Sequence, residues 1–362
     1  GDLYDGDWRD YNTGLFFRQQ AQRLHDAGIP LYLISGNHDA ANRMTRSLQL
    51  PENVTFFSAS QAETKLIPEL DVAIHGQSFA TAAVYDNLAQ NYPAAQSGCL
   101  NIGVLHTCAT GSEGHESYAP CSLEDLKAHN YDYWALGHIH IREILCQDPL
   151  IAFSGNIQGR HIRETGPKGC LLVTVDDERR LGTEFRALDV LRWERATVDL
   201  TGARSLEEAL DRVSREMETL HGQAEGKYLA LRIDLQGTCP VHKELLARRH
   251  QLIAEIRGRS LDIGSGEVWI EKIKINTSAP TSINREIPDD ALGEIQQLVA
   301  QVKANSEILQ ELGCDFSKLS QKIPASVKTS ALRLDDQEWL TELLTEAESV
   351  LMGRLTGKGN HQ

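Results

Sequence analysis

The sequence predicts a two-domain α/β protein, on three observations. Short apolar runs end in polar or histidine-bearing loops, helix-like stretches separate them, and the texture of the chain changes near residue 200. The runs at 31–34, 54–57, 72–75, 102–106 and 131–136 have the length and composition of strands, and three of them stop at His75, His106 and Gly137-His138. At 362 residues the chain is long enough for two hydrophobic cores without disulfide or metal staples.

Taken in order, Gly1-Asp2-Leu3-Tyr4-Asp5 reads as the loop after a strand. With no initiator Met and no basic, apolar leader, that strand is expected to lie upstream. A helix is expected over 11–27, stopped by Gly28 and Pro30, before a strand at 31–34 that ends in Ser35-Gly36-Asn37-His38-Asp39. Ser122 and Asp125 form a capping box for a helix near 123–129. Strands at 151–153 and 171–175 flank a glycine-rich loop, and 183–198 continues as extended chain. Beyond 200, Ser205 and Glu208 form a second capping box for a helix over 206–220, and a linker at 222–226 follows. A strand at 228–235, a helix at 241–257 and a strand at 268–275 then make a small α/β unit. After a polar connector at 277–288, helices are expected at 289–312 and 335–352. The second carries Leu340, Leu343, Leu344, Ala347 and Leu351 at helical spacing, with Asp335 and Glu338 at its start. No fixed-period repeat, sustained heptad or low-complexity tract interrupts this order.

The net charge of −15 argues against a general basic coat for nucleic acid, although a metal or a local patch can still handle phosphate. No apolar stretch approaches the roughly 20 residues that span a bilayer, so no membrane partner is expected. Seven scattered cysteines without a CxxC pair fit reduced thiols in the cytoplasm. Twelve acidic and five basic residues over 289–352 make either a solvated helical face or a docking surface for a basic partner.

The chemistry is carried by polar residues at the strand ends: Asp2, Asn37 with His38, His106, and His138 with His140. Each alone is an ordinary loop residue, but the ends of a parallel or mixed sheet can meet on one rim. There a carboxylate, an amide oxygen and imidazoles offer the mixed oxygen and nitrogen donors that Mn, Fe or Zn accept, unlike a thiolate-built structural zinc knot.

On these residues the chain resembles the calcineurin-like metallophosphoesterases, and among them the DNA repair exonucleases of the SbcD-like and YhaO-like group. Gly1, Asp2 and Asp5 match the GDxxD element, Gly36-Asn37-His38-Asp39 match GNHD, His106 matches the lone histidine after a strand, and Gly137, His138 and His140 match GHxH. Gly155, Asn156, Gln158, Gly159, Arg160 and His161 are similar to the YhaO-like branch in particular. The resemblance implies a four-layer α/β sandwich with a small α/β cap domain and C-terminal helices. It divides the chain into a catalytic domain at 1–198, a helical connector at 199–226, the cap at 227–276 and a helical region at 277–362.

It further implies two divalent metal ions, Mn2+ first and Fe2+, Zn2+ or Mg2+ as alternatives. Asp2 would bridge them, Asn37, His106 and His138 would hold one, and His140 would belong to the other. His38 would assist the phosphate or protonate the leaving oxygen, and Asp5 would orient a ligand. The implied activity is exonuclease cleavage of DNA, with an endonuclease component. The implied partners are DNA, an SbcC-like SMC-type ATPase docked on the terminal helices, and a second copy in a homodimer. The group's earlier DxH element has no counterpart here, and His75 lies too late in the order to replace it. The expectation is therefore that ligands lie upstream of Gly1 and that this chain by itself has little nuclease activity.

Arg160, His161 and Asn156 are candidates for contacting substrate from the glycine-rich loop, and Arg248, Arg249, Arg257 and Arg259 for contacting a DNA backbone. His115, His129, His221, His242, His250 and His361 lie outside the motifs and read as surface or packing residues. Cys108 has no base and orienting partner in sequence, and Trp134 reads as core. Two other readings stay open: a phosphatase or cyclic nucleotide phosphodiesterase using the same ions, and a non-catalytic scaffold joining DNA to an ATPase.

Overall fold

The structure, a computed structural model, describes residues 1–4, 11–41, 49–109, 116–280, 291–305 and 308–311, with short stretches at 340–341, 343–345, 347–348 and 351. The chain divides into two compact units, Gly1–Arg192 and Trp193–Gln362.

The first unit runs α1 (Tyr11–Asp26), β1 (Leu31–Leu33), α2 (Asn37–Ala41), β2 (Val54–Phe56), β3 (Glu63–Ile67), β4 (Val72–Gly76) and β5 (Leu100–His106). It continues with α3 (Leu123–Lys127), β6 (Tyr133–Gly137), β7 (Glu143–Gln147), β8 (Leu150–Phe153), β9 (Gly169–Val175) and β10 (Leu181–Ala187). Six strands form one mixed sheet in the order β3-β4-β5-β6-β8-β7, while β1-β2 and β9-β10 pair separately. The four central strands are parallel, so their C-terminal ends share one rim, and the register sets His106 opposite Gly137. β3 and β7 close the edges in antiparallel fashion. Both were missed in sequence: each opens on glutamate and is half-exposed, which blurs the apolar run that marks a central strand.

The core beneath this rim is aromatic. Trp134 is fully buried, its ring stacks on Tyr131 at 4.9 Å, and its indole N–H donates to Leu126 O at 3.1 Å. Across the strand pair sits Gly103, where a Cβ would collide with the indole, so a large residue is bedded on an absent one. The Ser122 capping box forms as expected, but α3 ends at Lys127 and the chain reverses through Asn130 at φ +55°.

From Trp193 the second unit holds most of β11 (Leu191–Asp199), then α4 (Leu206–Gln223), β12 (Tyr228–Thr238), α5 (His242–Ala247), α6 (Arg249–Asp262), β13 (Val268–Ser278) and α7 (Ala291–Ala304). Its sheet has the order β11-β12-β13, with β12 and β13 parallel and a bulge between Leu231 and Arg232. Alternate residues of β12, namely Leu229, Leu231, Ile233 and Leu235, are buried in one cluster with Leu210, Val213 and Met217 of α4 and Leu252 and Ile256 of α6.

Three local expectations need correction. The linker expected at 222–226 begins inside α4, which runs to Gln223. The single helix expected at 241–257 is two, broken at Arg248 with φ −105° and ψ 26°, and α6 continues to Asp262. Ser205 accepts from the Glu208 N–H, but the Glu208 carboxylate takes the Arg204 N–H, so only half of that capping box forms. α7 ends at Ala304, and Asp335 and Glu338 lie outside the described residues. Among the described residues no helix is long and apolar enough to cross a membrane.

Candidate metal centre

The rim of the first unit collects four of the side chains singled out in the sequence. β5 delivers His106 at its last residue, β6 delivers His138 just past its end, and the turn after β1 delivers Asn37 at the start of α2. Ligand atoms of Asp2, His106 and His138 lie within 4.8 Å of one another. His106 Nε2 is 3.0 Å from Asn37 Oδ1 and 3.3 Å from Asp2 Oδ2. Asp2 and His138 both carry positive φ, +55° and +101°, which costs non-glycine residues free energy on the order of 1–3 kcal/mol and is found where a side chain must be aimed.

The aim of Asp2 is fixed by residues around it. Its Oδ1 accepts the His38 backbone N–H at 2.9 Å. A Cβ on Gly36 would collide with the Asp2 carboxylate and the His106 ring, so glycine is required by close approach. Asp39, 3% exposed, accepts the N–H groups of Leu3 and Tyr4 at 3.1 Å each and of Gly36 at 3.2 Å. One buried carboxylate thus clamps the segment bearing Asp2 to the loop bearing Asn37. Sequence reading assigns Asp39 no role; the signal is its place as the last residue of the GNHD element.

Electrostatics favour lone-pair donors. Burial penalises ionisation of Asp2, but the hydrogen bond and charge of His106, with the His38 N–H, outweigh it and hold the carboxyl at about 2. Burial lowers the pKa of His106 and so favours its neutral imidazole. Its Nδ1 is buried with no hydrogen-bond partner, so no acceptor draws the ring proton away from Nε2. Nε2 faces the oxygens of Asn37 and Asp2, and with its proton displaced the same set of one carboxylate, one neutral amide oxygen and imidazole nitrogens suits a divalent cation. His138 Nε2 lies 2.9 Å from Glu116 O, a carbonyl that accepts a ring proton placed on that nitrogen.

Beside these residues lies a cleft of ≈ 300 Å³ whose lining includes Asp2, His38, His140, Asn156 and Arg160. His140 is outside the tight trio but shares this cleft with Asp2. Its Nδ1 is 2.6 Å from the carboxylate of Glu164, a residue that sequence reading passes over. Burial opposes the charge on Glu164, yet the Arg160 N–H and His140 bring its pKa below the usual glutamate value. Asn156 gives its Nδ2 to Gln158 O and keeps Oδ1 buried without a partner, so it has an acceptor to offer rather than a donor for phosphate. His161 is exposed and accepts the Arg163 N–H within its own loop. Asp5 lies outside the described residues.

Other candidates are structural. His75 is fully buried, bonded to Thr64 and Asn101 and stacked on Tyr131 at 4.2 Å. His129 packs on Tyr92, Tyr131 and Trp134, His221 meets Glu267 and His242 meets Thr277. His115 and His361 lie outside the described residues. Cys108 is buried, and the six described cysteines are unbridged. Arg248 is paired with Glu244, and Arg259 with Glu207 and Asp211, so two of the four arginines considered for a DNA backbone are already engaged by acids.

Comparison with known proteins agrees with this chemistry. Residues 193–278 match the family model "Metallophosphoesterase YhaO, middle domain". The chain is 39% identical over 245 residues to the uncharacterized metallophosphoesterase YhaO of Bacillus subtilis, covering 66% of this chain and 59% of that protein. It is 26% identical to the SbcD component of the SbcCD nuclease of Staphylococcus epidermidis, covering 53% and 58%. It is 24% identical to the DNA double-strand break repair protein Mre11 of Methanocaldococcus jannaschii, covering 59% and 61%. The chain thus spans about three fifths of the length of each. The match over 193–278 and these relatives, with the strand-end donor set, support a calcineurin-like metallophosphoesterase of the SbcD and YhaO type, a family that uses divalent metal ions.

Proposed function

We propose that the protein hydrolyses phosphodiester bonds at DNA ends, as an exonuclease with an endonuclease component, using two divalent ions, Mn2+ first among them. The observation that carries this is the meeting of Asp2, Asn37, His106 and His138 at one rim beside a cleft that also holds His140 and Arg160. Asp2, Asn37, His106 and His138 would hold one ion, and Asp2 and His140 would contribute to the other. Bound ions of this kind acidify water and neutralise phosphate oxygens. Around them the chain's own residues do the rest. Asn37 and neutral imidazoles add no negative charge beside an anionic substrate. Arg160 meets a phosphate oxygen at the cleft mouth, and His38 gives a proton to the departing oxygen. Asp5 orients a ligand, His161 contacts substrate phosphate from the same loop, and Asn156, with its amide N–H given to Gln158 O, meets substrate through its oxygen alone.

The working assembly is cytoplasmic, is a homodimer, and docks an SMC-type ATPase through region 277–362. The separation into a catalytic domain to 198, a connector to 226 and a cap to 276 belongs to the same reading. A nuclease assay tests it, with Mn2+, end-labelled duplex DNA and a small phosphate diester, on this chain and on a form extended upstream of Gly1. The expected result is DNA shortening from the ends by the extended form, lost in His38→Ala. Preference for the small ester, or no cleavage by any form, contradicts it.

A further inference from the structure

We propose that Glu164 is a positioning residue that ties the candidate ligand His140 to the backbone of Arg160, so that one carboxylate sets both the metal-facing imidazole and the loop of the phosphate contact. This rests on the metal reading above. The two oxygens of Glu164 are divided between the tasks: Oε1 lies 2.6 Å from His140 Nδ1 and Oε2 accepts the Arg160 N–H at 2.8 Å. The residue is 7% exposed, so the carboxylate is held inside the loop rather than tethered from solvent. With the ring proton on Nδ1 facing Glu164, Nε2 presents a lone pair. Free imidazole has no such constraint, and a carboxylate at Nδ1 selects the form a metal needs.

The rest of the loop is built to keep that carboxylate in place. Gly155 adopts φ +74°, and a Cβ there would press on the backbone of Arg142 and His140 at 2.9 Å, so the chain turns back directly onto the strand-end loop. His140 O receives the Asn156 N–H at 3.2 Å and lies 3.5 Å from the Lys168 ammonium, which is itself 7% exposed. Gly169 N–H closes the loop on Asn156 O at 3.1 Å. Glu164 also has a purely local bond, its own N–H to His161 O at 2.9 Å. A residue that only shaped this turn would need that bond and not the imidazole.

The test uses the full chain with ring-15N-labelled histidine, His140 being assigned by loss of its signals in His140→Gln. Wild-type His140 is expected to carry its proton on Nδ1 and a bare Nε2. Glu164→Ala should shift the ring toward the Nε2-protonated form and speed amide exchange at Arg160. Glu164→Gln, which keeps the shape and one acceptor oxygen, should fall between them and remains informative if the alanine variant fails to fold. Calorimetric titration with Mn2+ should show affinity falling about 10- to 100-fold in Glu164→Ala. An unchanged His140 tautomer overturns the proposal, as does unchanged exchange at Arg160. A wild-type chain that takes up no Mn2+ contradicts the metal reading, while the tautomer measurement still decides the role of Glu164.

Discussion

The two units bury different things. In the second, β12 sets Leu229, Leu231, Ile233 and Leu235 against two helices, and the charges of Arg248 and Arg259 are spent on neighbouring acids at the surface. In the first, Asp39, His75, Asn101, His106, Glu164, Lys168, Asp189 and Arg192 are all buried, against only His242 and Ser260 among the described polar residues of the second. Burying polar groups costs free energy unless each is partnered, so an arrangement kept at that cost points to the unit where chemistry is done. Even there the polar residues are of two kinds. The pair Arg192–Asp189 is a closed structural contact at 2.9 Å, whereas Asp2, Asn37 and His106 turn donor atoms toward one another.

This contrast can be broken in either unit. The largest expected effect is in the second: Leu231→Ala, at a fully buried position, should cost about 2–5 kcal/mol in a urea titration while metal uptake by the first unit persists. Metal uptake lost together with stability would tie the two units more closely than their separate cores suggest. Next, Asp39→Ala removes the acceptor of three backbone N–H groups and should cost about 2–3 kcal/mol, with weakened metal uptake. If uptake is unchanged, Asp39 is not the clamp that aims Asp2.

Acid sharpens the comparison. The Asp2 carboxyl is held at about 2 against an ordinary value of 3.8, so its contribution is present above pH ~4 and is lost as pH falls toward 2. That contribution is about 2 kcal/mol at roughly 1.4 kcal/mol per pH unit. Asp2→Asn should remove this part of the acid dependence, read as the urea midpoint between pH 2 and 5, and an unaltered profile would contradict it. The smallest effect is at the surface: Arg259→Ala, which removes pairs with the exposed Glu207 and Asp211, should cost under about 1 kcal/mol and leave DNA binding and its salt slope unchanged. A shallower slope would return Arg259 to the DNA contacts.

Much of the candidate site was legible because Asn37, His106 and His138 sit at or just past the end of an apolar run, where strand length and the following glycine or histidine can be read directly. His106 closing β5 and His138 after β6 are of this kind, and the parallel register does the rest. What escaped reading depends on contacts across the fold. Glu164 and Asp39 have no periodic signature; their roles arise because the chain returns to bring each carboxylate to backbone N–H groups, and in Glu164's case also to an imidazole. β3 and β7 escaped because edge strands need not be apolar, and the break at Arg248 because helix propensity alone does not show where α5 must turn.

Every functional step above requires that the rim bind divalent cations through Asp2 and its neighbours. Equilibrium dialysis of the full chain against Mn2+, followed by elemental analysis, measures that binding itself, with Asp2→Asn run in parallel. At least one equivalent of Mn2+ should be retained by the wild type and little or none by the variant; a wild type without metal, or a variant that keeps as much, would overturn the metal centre.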